Sequence, residues 1–131
     1  MDGSDGRVRV LVVDDEPMIG RSLLRAFVDL EVTVLLSVEA AIEQLDAGLE
    51  VDVILSDICL PGECGVDLYE WLVAHQPALS ERMLFMTGSP THPLALRARR
   101  TPVRILEKPF SAELALAEIM RLAPQGRSNS A

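Results

Sequence analysis

Short apolar runs alternate with amphipathic stretches along this chain, and the alternation occurs five times. The runs cover residues 8–13, 32–36, 51–56, 82–86 and 103–106, each strand-sized and rich in Val, Ile, Leu or Met. Near-continuous apolarity, rather than strict alternation, belongs to strands covered on both faces. Between the runs the spacing turns helical. Ile19, Leu23 and Phe27 recur at i, i+4 and i+8, and Val38, Ile42 and Leu45 share a face behind Ser37, a candidate N-cap. Leu68, Trp71, Leu72 and His75 share another, and Leu116, Ile119, Met120 and Ala123 a third, after a second candidate cap at Ser111. The fourth helix is the shortest: Pro93 can start it, residues 94–100 give barely two turns, and Pro102 stops it.

Five strand-then-helix units imply an α/β fold, a parallel sheet with helices on both faces, because parallel strands need crossover connections. The 131 residues suffice for one domain with a real core, placed at 7–123 between small, polar, flexible tails at 1–6 and 124–131. No apolar stretch approaches the ~18 residues of a membrane span, and the first residues lack the basic start and apolar stretch of a signal peptide. A cytoplasmic location away from any membrane is therefore expected. Net charge is −8, from 20 acidic and 12 basic residues, which argues against direct nucleic-acid binding. Arg97, Arg99, Arg100 and Arg104 cluster locally, as a solvated surface patch or as a contact face for a partner. Cys59 and Cys64 have no second pair, and His75 and His92 add no zinc-like spacing. Both cysteines read as reduced and incidental, and both histidines as incidental.

The unusual polar residues fall in one kind of place. Asp14, Asp15 and Glu16 follow the first strand, Asp57 the third, Thr87 the fourth and Lys108 the fifth. These are carboxyl ends of strands, where open parallel sheets bind ligands. An acidic residue ending a strand is most often a turn former or a helix cap; the coincidence of several strand ends raises the functional reading above that one. Three clustered carboxylates repel one another, so a positive charge must offset them. Oxygen ligands without His or Cys suit Mg²⁺, and Lys108 supplies a second cation. Phosphoryl transfer needs little beyond in-line positioning and charge neutralisation, and Asp57 is a candidate nucleophile.

Val-Leu-Val-Val-Asp-Asp-Glu-Pro at 10–17, Ser-Asp-Ile-Cys-Leu-Pro-Gly-Glu-Cys-Gly-Val-Asp-Leu at 56–68 and Leu-Glu-Lys-Pro-Phe at 106–110 resemble the receiver domains of two-component response regulators. The resemblance covers about residues 7–123. It implies a three-layer, flavodoxin-like (βα)5 sandwich with strand order 2-1-3-4-5. It implies that Asp57 accepts a phosphoryl group from the phosphohistidine of a sensor histidine kinase or a phosphotransfer protein. Mg²⁺ or Mn²⁺ would be held by Asp15 and Asp57, by Asp14 mainly through water, and by the backbone carbonyl of Cys59. Thr87 and Lys108 would contact the phosphoryl oxygens, and the Lys108–Pro109 bond would be cis. The face formed by helix four, strand five and helix five would be the contact surface for a partner or a second copy. One position departs from the pattern. Where receivers often carry an aromatic residue, three before the lysine, this chain has Ile105, so a relay by aromatic rotation is in question.

Such a domain catalyses its own phosphorylation and turns over no diffusible substrate, so the chain is not expected to be an enzyme. Its ending resembles receivers appended to hybrid sensor kinases, so the parent chain could be a hybrid histidine kinase. Two other readings stay in view. A haloacid-dehalogenase-type phosphatase also forms an aspartyl phosphate, but its two aspartates are spaced by two rather than adjacent. A degenerate receiver would act as a docking module only, yet Asp14, Asp15, Asp57, Thr87 and Lys108 are all present. No Gly-rich loop follows the first strand, which argues against nucleotide binding.

Overall fold

The computed structural model describes residues 6–16 and 25–124. The expectations for most of both tails, and for the helix carrying Ile19 and Leu23, lie outside these residues.

Five strands form one sheet: β1 (Arg9–Val13), β2 (Glu31–Leu35), β3 (Val53–Asp57), β6 (Met83–Thr87) and β7 (Arg104–Glu107). The spatial order is β2-β1-β3-β6-β7, and every pairing is parallel. With the short hairpin strands β4 (Cys59–Leu60) and β5 (Glu63–Cys64) set aside, this is the order 2-1-3-4-5. The helices with both ends among the described residues are α1 (Val38–Asp46), α2 (Gly65–His75), α3 (Pro77–Ser80), α4 (Pro93–Ala98) and α5 (Ala112–Leu122).

Burial explains the runs. All residues of β3 and β6 are buried, whereas the edge strand β2 is mostly half-buried and β7 exposes both of its ends. Successive side chains in a strand point to opposite faces. Leu11, Val13, Ile54 and Phe85 thus pack with Val38, Ala41, Leu68 and Leu72 of α1 and α2. Val10, Val12, Leu55, Met86 and Leu106 pack on the other face with Phe27, Ala115 and Ile119. Each central strand feeds two cores, which is why strict alternation is missing from its sequence.

Both serine caps are present: Ser37 Oγ accepts from Ala40 N–H and Ser111 Oγ from Leu114 N–H, each at 3.0 Å. Several details differ from expectation. Asp57 and Thr87 are the last residues of their strands rather than the residues after them. Val51 precedes β3, where Asp52 Oδ2 instead accepts the Arg9 N–H at 2.7 Å. His75 is exposed, not part of the α2 core face; its ring stacks on Trp71 at 4.7 Å. His92 is not incidental, because its Nδ1 accepts the Leu94 N–H at 3.0 Å and caps α4. Neither the β4–β5 hairpin nor α3 was anticipated.

Candidate functional site

The site is assembled by strand ends in register. Asp57 pairs with Met86, and Thr87 with Glu107, so Asp57, Thr87 and Lys108 arrive at one rim on successive strands. Backbone bonds lock that rim: Asp14 N–H donates to Leu35 O at 3.1 Å, Ile58 N–H to Met86 O at 2.9 Å, and Lys108 N–H to Thr87 O at 2.8 Å. The Lys108–Pro109 peptide is cis.

Asp14 is fully buried. Its Oδ1 accepts the Glu16 N–H at 2.9 Å and its Oδ2 lies 3.0 Å from Lys108 Nζ. Asp57 is 6% exposed. Its Oδ1 accepts the Cys59 N–H at 3.2 Å, and its Oδ2 also lies 3.0 Å from Lys108 Nζ. One ammonium therefore bridges carboxylates from two different strands. Asp15, at the same rim, is exposed. Carboxylate oxygens of Asp14, Asp15 and Asp57 all lie within 4.8 Å of one another. Two ligands on opposite sides of Mg²⁺, each at about 2.1 Å, span roughly 4.2 Å. The three carboxylates thus fit a hard cation with a small turn of side chains, and they are all oxygen donors.

Thr87 is buried, and its Oγ1 accepts the Ser89 N–H at 3.0 Å. Ile105 pairs with Phe85 and is half-buried. It lines, with Thr87, Ala95 and Arg104, a cleft of about 470 Å³ between α4 and β7. Cys59 opens the β4–β5 hairpin beside Asp57.

Electrostatics separate the groups. Burial, above all, pushes the Asp57 carboxyl above the ordinary carboxylate range; the Lys108 ammonium holds it back and the Asp14 charge adds to the rise. For Lys108, burial pulls the ammonium down, but its bonds to Asp14 and Asp57 outweigh this and leave it above its usual value. Burial and the Asp57 charge raise the Cys59 thiol.

A raised carboxyl binds protons more readily in the folded than in the unfolded state, so folding gains stability as pH falls through the folded-state value, down to the unfolded one near 3.8. Asp57→Asn, free of divalent cation at pH 7, should melt no lower than the parent. It should also lose this acid-side gain. Melting curves across pH check both points, and a clear drop at neutral pH would show that the Lys108 pairing outweighs burial.

Three residues at the site were not singled out from sequence. Ser56 Oγ donates to the Asp57 carbonyl at 2.9 Å. A Cβ on Gly65 would press into that same carbonyl oxygen and come within 3.2 Å of Ser56 Oγ. The Glu63 carboxylate accepts the Val38 and Glu39 N–H groups, each at 2.9 Å, and so caps α1 from the hairpin. The arginine cluster is partly committed. Arg97 reaches Asp67 at 3.0 Å and Glu70 at 2.9 Å on α2, and Arg104 reaches Glu118 at 3.2 Å on α5.

A parallel five-stranded sheet with acidic residues and a lysine gathered at its carboxyl edge defines a doubly wound α/β domain with a candidate ligand site at that edge. The family model for the response regulator receiver domain matches residues 10–120, and the chain belongs to that family, the receivers of two-component signalling. A signal receiver domain of an HD domain-containing protein from Pseudomonas fluorescens Pf-5 superposes with a TM-score of 0.78 at 23% identity, covering 88% of this chain and 94% of that one. A response regulator receiver protein from Sinorhizobium medicae gives 0.77 at 24% identity, over 91% and 96%. The receiver domain of NtrC4, solved as a beryllofluoride-activated dimer, gives 0.76 at 28% identity, over 88% and 95%. No match is found among curated proteins. No helix among the described residues is long and apolar enough to cross a membrane.

Proposed function

We propose that this receiver accepts a phosphoryl group on Asp57 from the phosphohistidine of a sensor kinase or phosphotransfer protein, in a reaction dependent on Mg²⁺ or Mn²⁺. An Asp57 carboxylate oxygen attacks phosphorus, the P–N bond breaks, and the imidazole leaves with the electron pair and takes up a proton. Asp14, Asp15, Asp57 and the Cys59 backbone carbonyl would hold the cation, which when bound neutralises charge on the transferring oxygens. Lys108 is the protein's own counter-charge. The observation that supports this reading most is its position, 3.0 Å from an oxygen of both Asp14 and Asp57. A phosphoryl group added to Asp57 would bring further negative oxygens within reach of the same ammonium. Thr87 Oγ1 sits at the neighbouring strand end as a hydrogen-bond donor.

In the cell we place the domain in the cytoplasm, alone or within a longer regulator or hybrid kinase. Its reporting surface would be the α4–β7–α5 face, through which it would meet a partner or a second copy; the NtrC4 receiver's description as an activated dimer supports the second.

The test is incubation with Mg²⁺ and a small phosphodonor, followed by mass spectrometry and light scattering. The expected result is one base-labile phosphoryl group per chain, absent in Asp57→Asn. No adduct would leave the docking-module reading, and steady phosphate release from monoesters would favour the phosphatase reading.

A further inference from the structure

Cys59 and Cys64 stand directly opposite one another across the β4–β5 hairpin. The turn between these strands is Pro61-Gly62, with Gly62 at φ 70°, the left-handed conformation that glycine accepts freely. Beyond the cysteines, Gly65 N–H donates to Ile58 O at 2.8 Å. Hydrogen-bonded and non-hydrogen-bonded pairs alternate along an antiparallel ladder, so the cysteines occupy a non-hydrogen-bonded pair. Such pairs hold their Cα atoms about 4.5 Å apart with side chains on one face, which falls inside the disulfide window of ~4.4–6.8 Å. Both thiols are free. Cys64 is buried and Cys59 half-buried, so one thiol is open to attack and the other is held behind it.

We propose that Cys59 and Cys64 form a reversible intramolecular disulfide, a thiol–disulfide modification site on the rim of the Asp57 pocket. The oxidant is a small disulfide such as oxidised glutathione. The Cys59 thiolate attacks one sulfur, the small disulfide's S–S bond breaks, and one thiolate leaves. The Cys64 thiolate then attacks Cys59 sulfur and expels the second. Two cysteine thiols are oxidised, one small disulfide is reduced to two thiols, and the two cysteine protons pass to the leaving groups.

The hairpin is already held in the bonding arrangement. Glu63 fixes it to α1, and Cys64 N–H donates to Asp67 Oδ2 at 3.0 Å. Because Cys59 N–H donates to Asp57 Oδ1, the cross-link also stiffens the backbone that positions Asp57. That consequence for signalling rests on Asp57 being the phosphoacceptor; the bond itself does not.

Mass spectrometry tests it on the intact chain after oxidised glutathione, with alkylation under denaturing conditions. The expected product is monomeric, lighter by two hydrogens, and takes no alkyl group. Arg and Lys are absent between the cysteines but Glu63 is not, so a glutamyl endopeptidase should leave two peptides that separate only on reduction. The thermal midpoint should rise by about 4–8 °C and return on reduction. Cys59→Ser should retain one alkylatable thiol, Cys64→Ser should hold a glutathione mixed disulfide on Cys59 that no second thiol resolves, and neither should show the rise. In the parent chain, two alkylated thiols, a glutathione adduct that stays on one cysteine, or linkage between chains would overturn the proposal. In a second arm, the oxidised and reduced forms should take up phosphoryl groups at rates that differ severalfold. Equal rates would overturn the effect on Asp57. No uptake in either state would overturn the phosphoacceptor reading while the mass result still decides the bond.

Discussion

Lys108→Met should melt about 10 °C below the parent in the absence of divalent cation, and added Mg²⁺ should close much of that gap. The reasoning starts from burial. Asp14 is fully buried and Asp57 nearly so, and one ammonium at 3.0 Å serves both. Removing one partner from a buried ion pair leaves charge without a counter-ion, and costs about 3–5 kcal/mol. The lysine itself keeps some contact with solvent, so the lower end applies; for a domain of this size about 3 kcal/mol shifts the midpoint by roughly 10 °C. A divalent cation on the same carboxylates restores the missing charge. Combining Lys108→Met with Asp57→Asn should recover part of the loss, because the pair no longer carries two uncompensated charges. Melting curves of the three variants with and without Mg²⁺ decide the matter. A single variant that melts with the parent would mean that the ammonium does not offset these carboxylates.

Gly65→Ala is the second large effect, and it is purely steric. The added methyl would overlap the Asp57 carbonyl oxygen and crowd Ser56 Oγ. The nearer neighbour is backbone: the carbonyl belongs to a central strand and accepts the Ser56 hydroxyl. The first turn of α2 or the end of β3 must therefore move, which costs about 2–3 kcal/mol as overpacking. The same movement displaces the Asp57 carboxylate. The variant should lose stability and phosphoryl uptake together, and lowering the temperature to refold it fully should not restore the uptake. Normal uptake at a low temperature would show that the strand end absorbs the methyl without moving Asp57.

The sheet and the convergence of its strand ends were legible because both follow from simple periodicities. Apolar runs of strand length mark β1, β3 and β6, and Ser37 and Ser111 mark helix starts. The one-residue slip at Asp57 and Thr87 has a physical origin: hydrophobicity records where a strand is buried, not where its ladder stops, and both residues still pair. The hairpin went unread because its strands are two residues long and carry no period. With it went the facing of Cys59 and Cys64, which looks incidental as a spacing of five and becomes a pair only through register. The Glu63 cap on α1 joins residues 25 apart, a distance no local pattern covers. The ammonium of Lys108, read from the sequence as the second cation of the acidic cluster, reaches two of its three carboxylates.

The fourth helix, α4, has a light hold on the core. Its fully buried residues are two alanines, Ala95 and Ala98, which offer little area to grip. Half-buried Leu94 adds to them, and Arg97 forks to Asp67 and Glu70 at the surface. Exposed pairs of this kind contribute about 0–1 kcal/mol and weaken as salt is raised. The seat of α4 is therefore sensitive to salt in a way that the strand-end carboxylates are not.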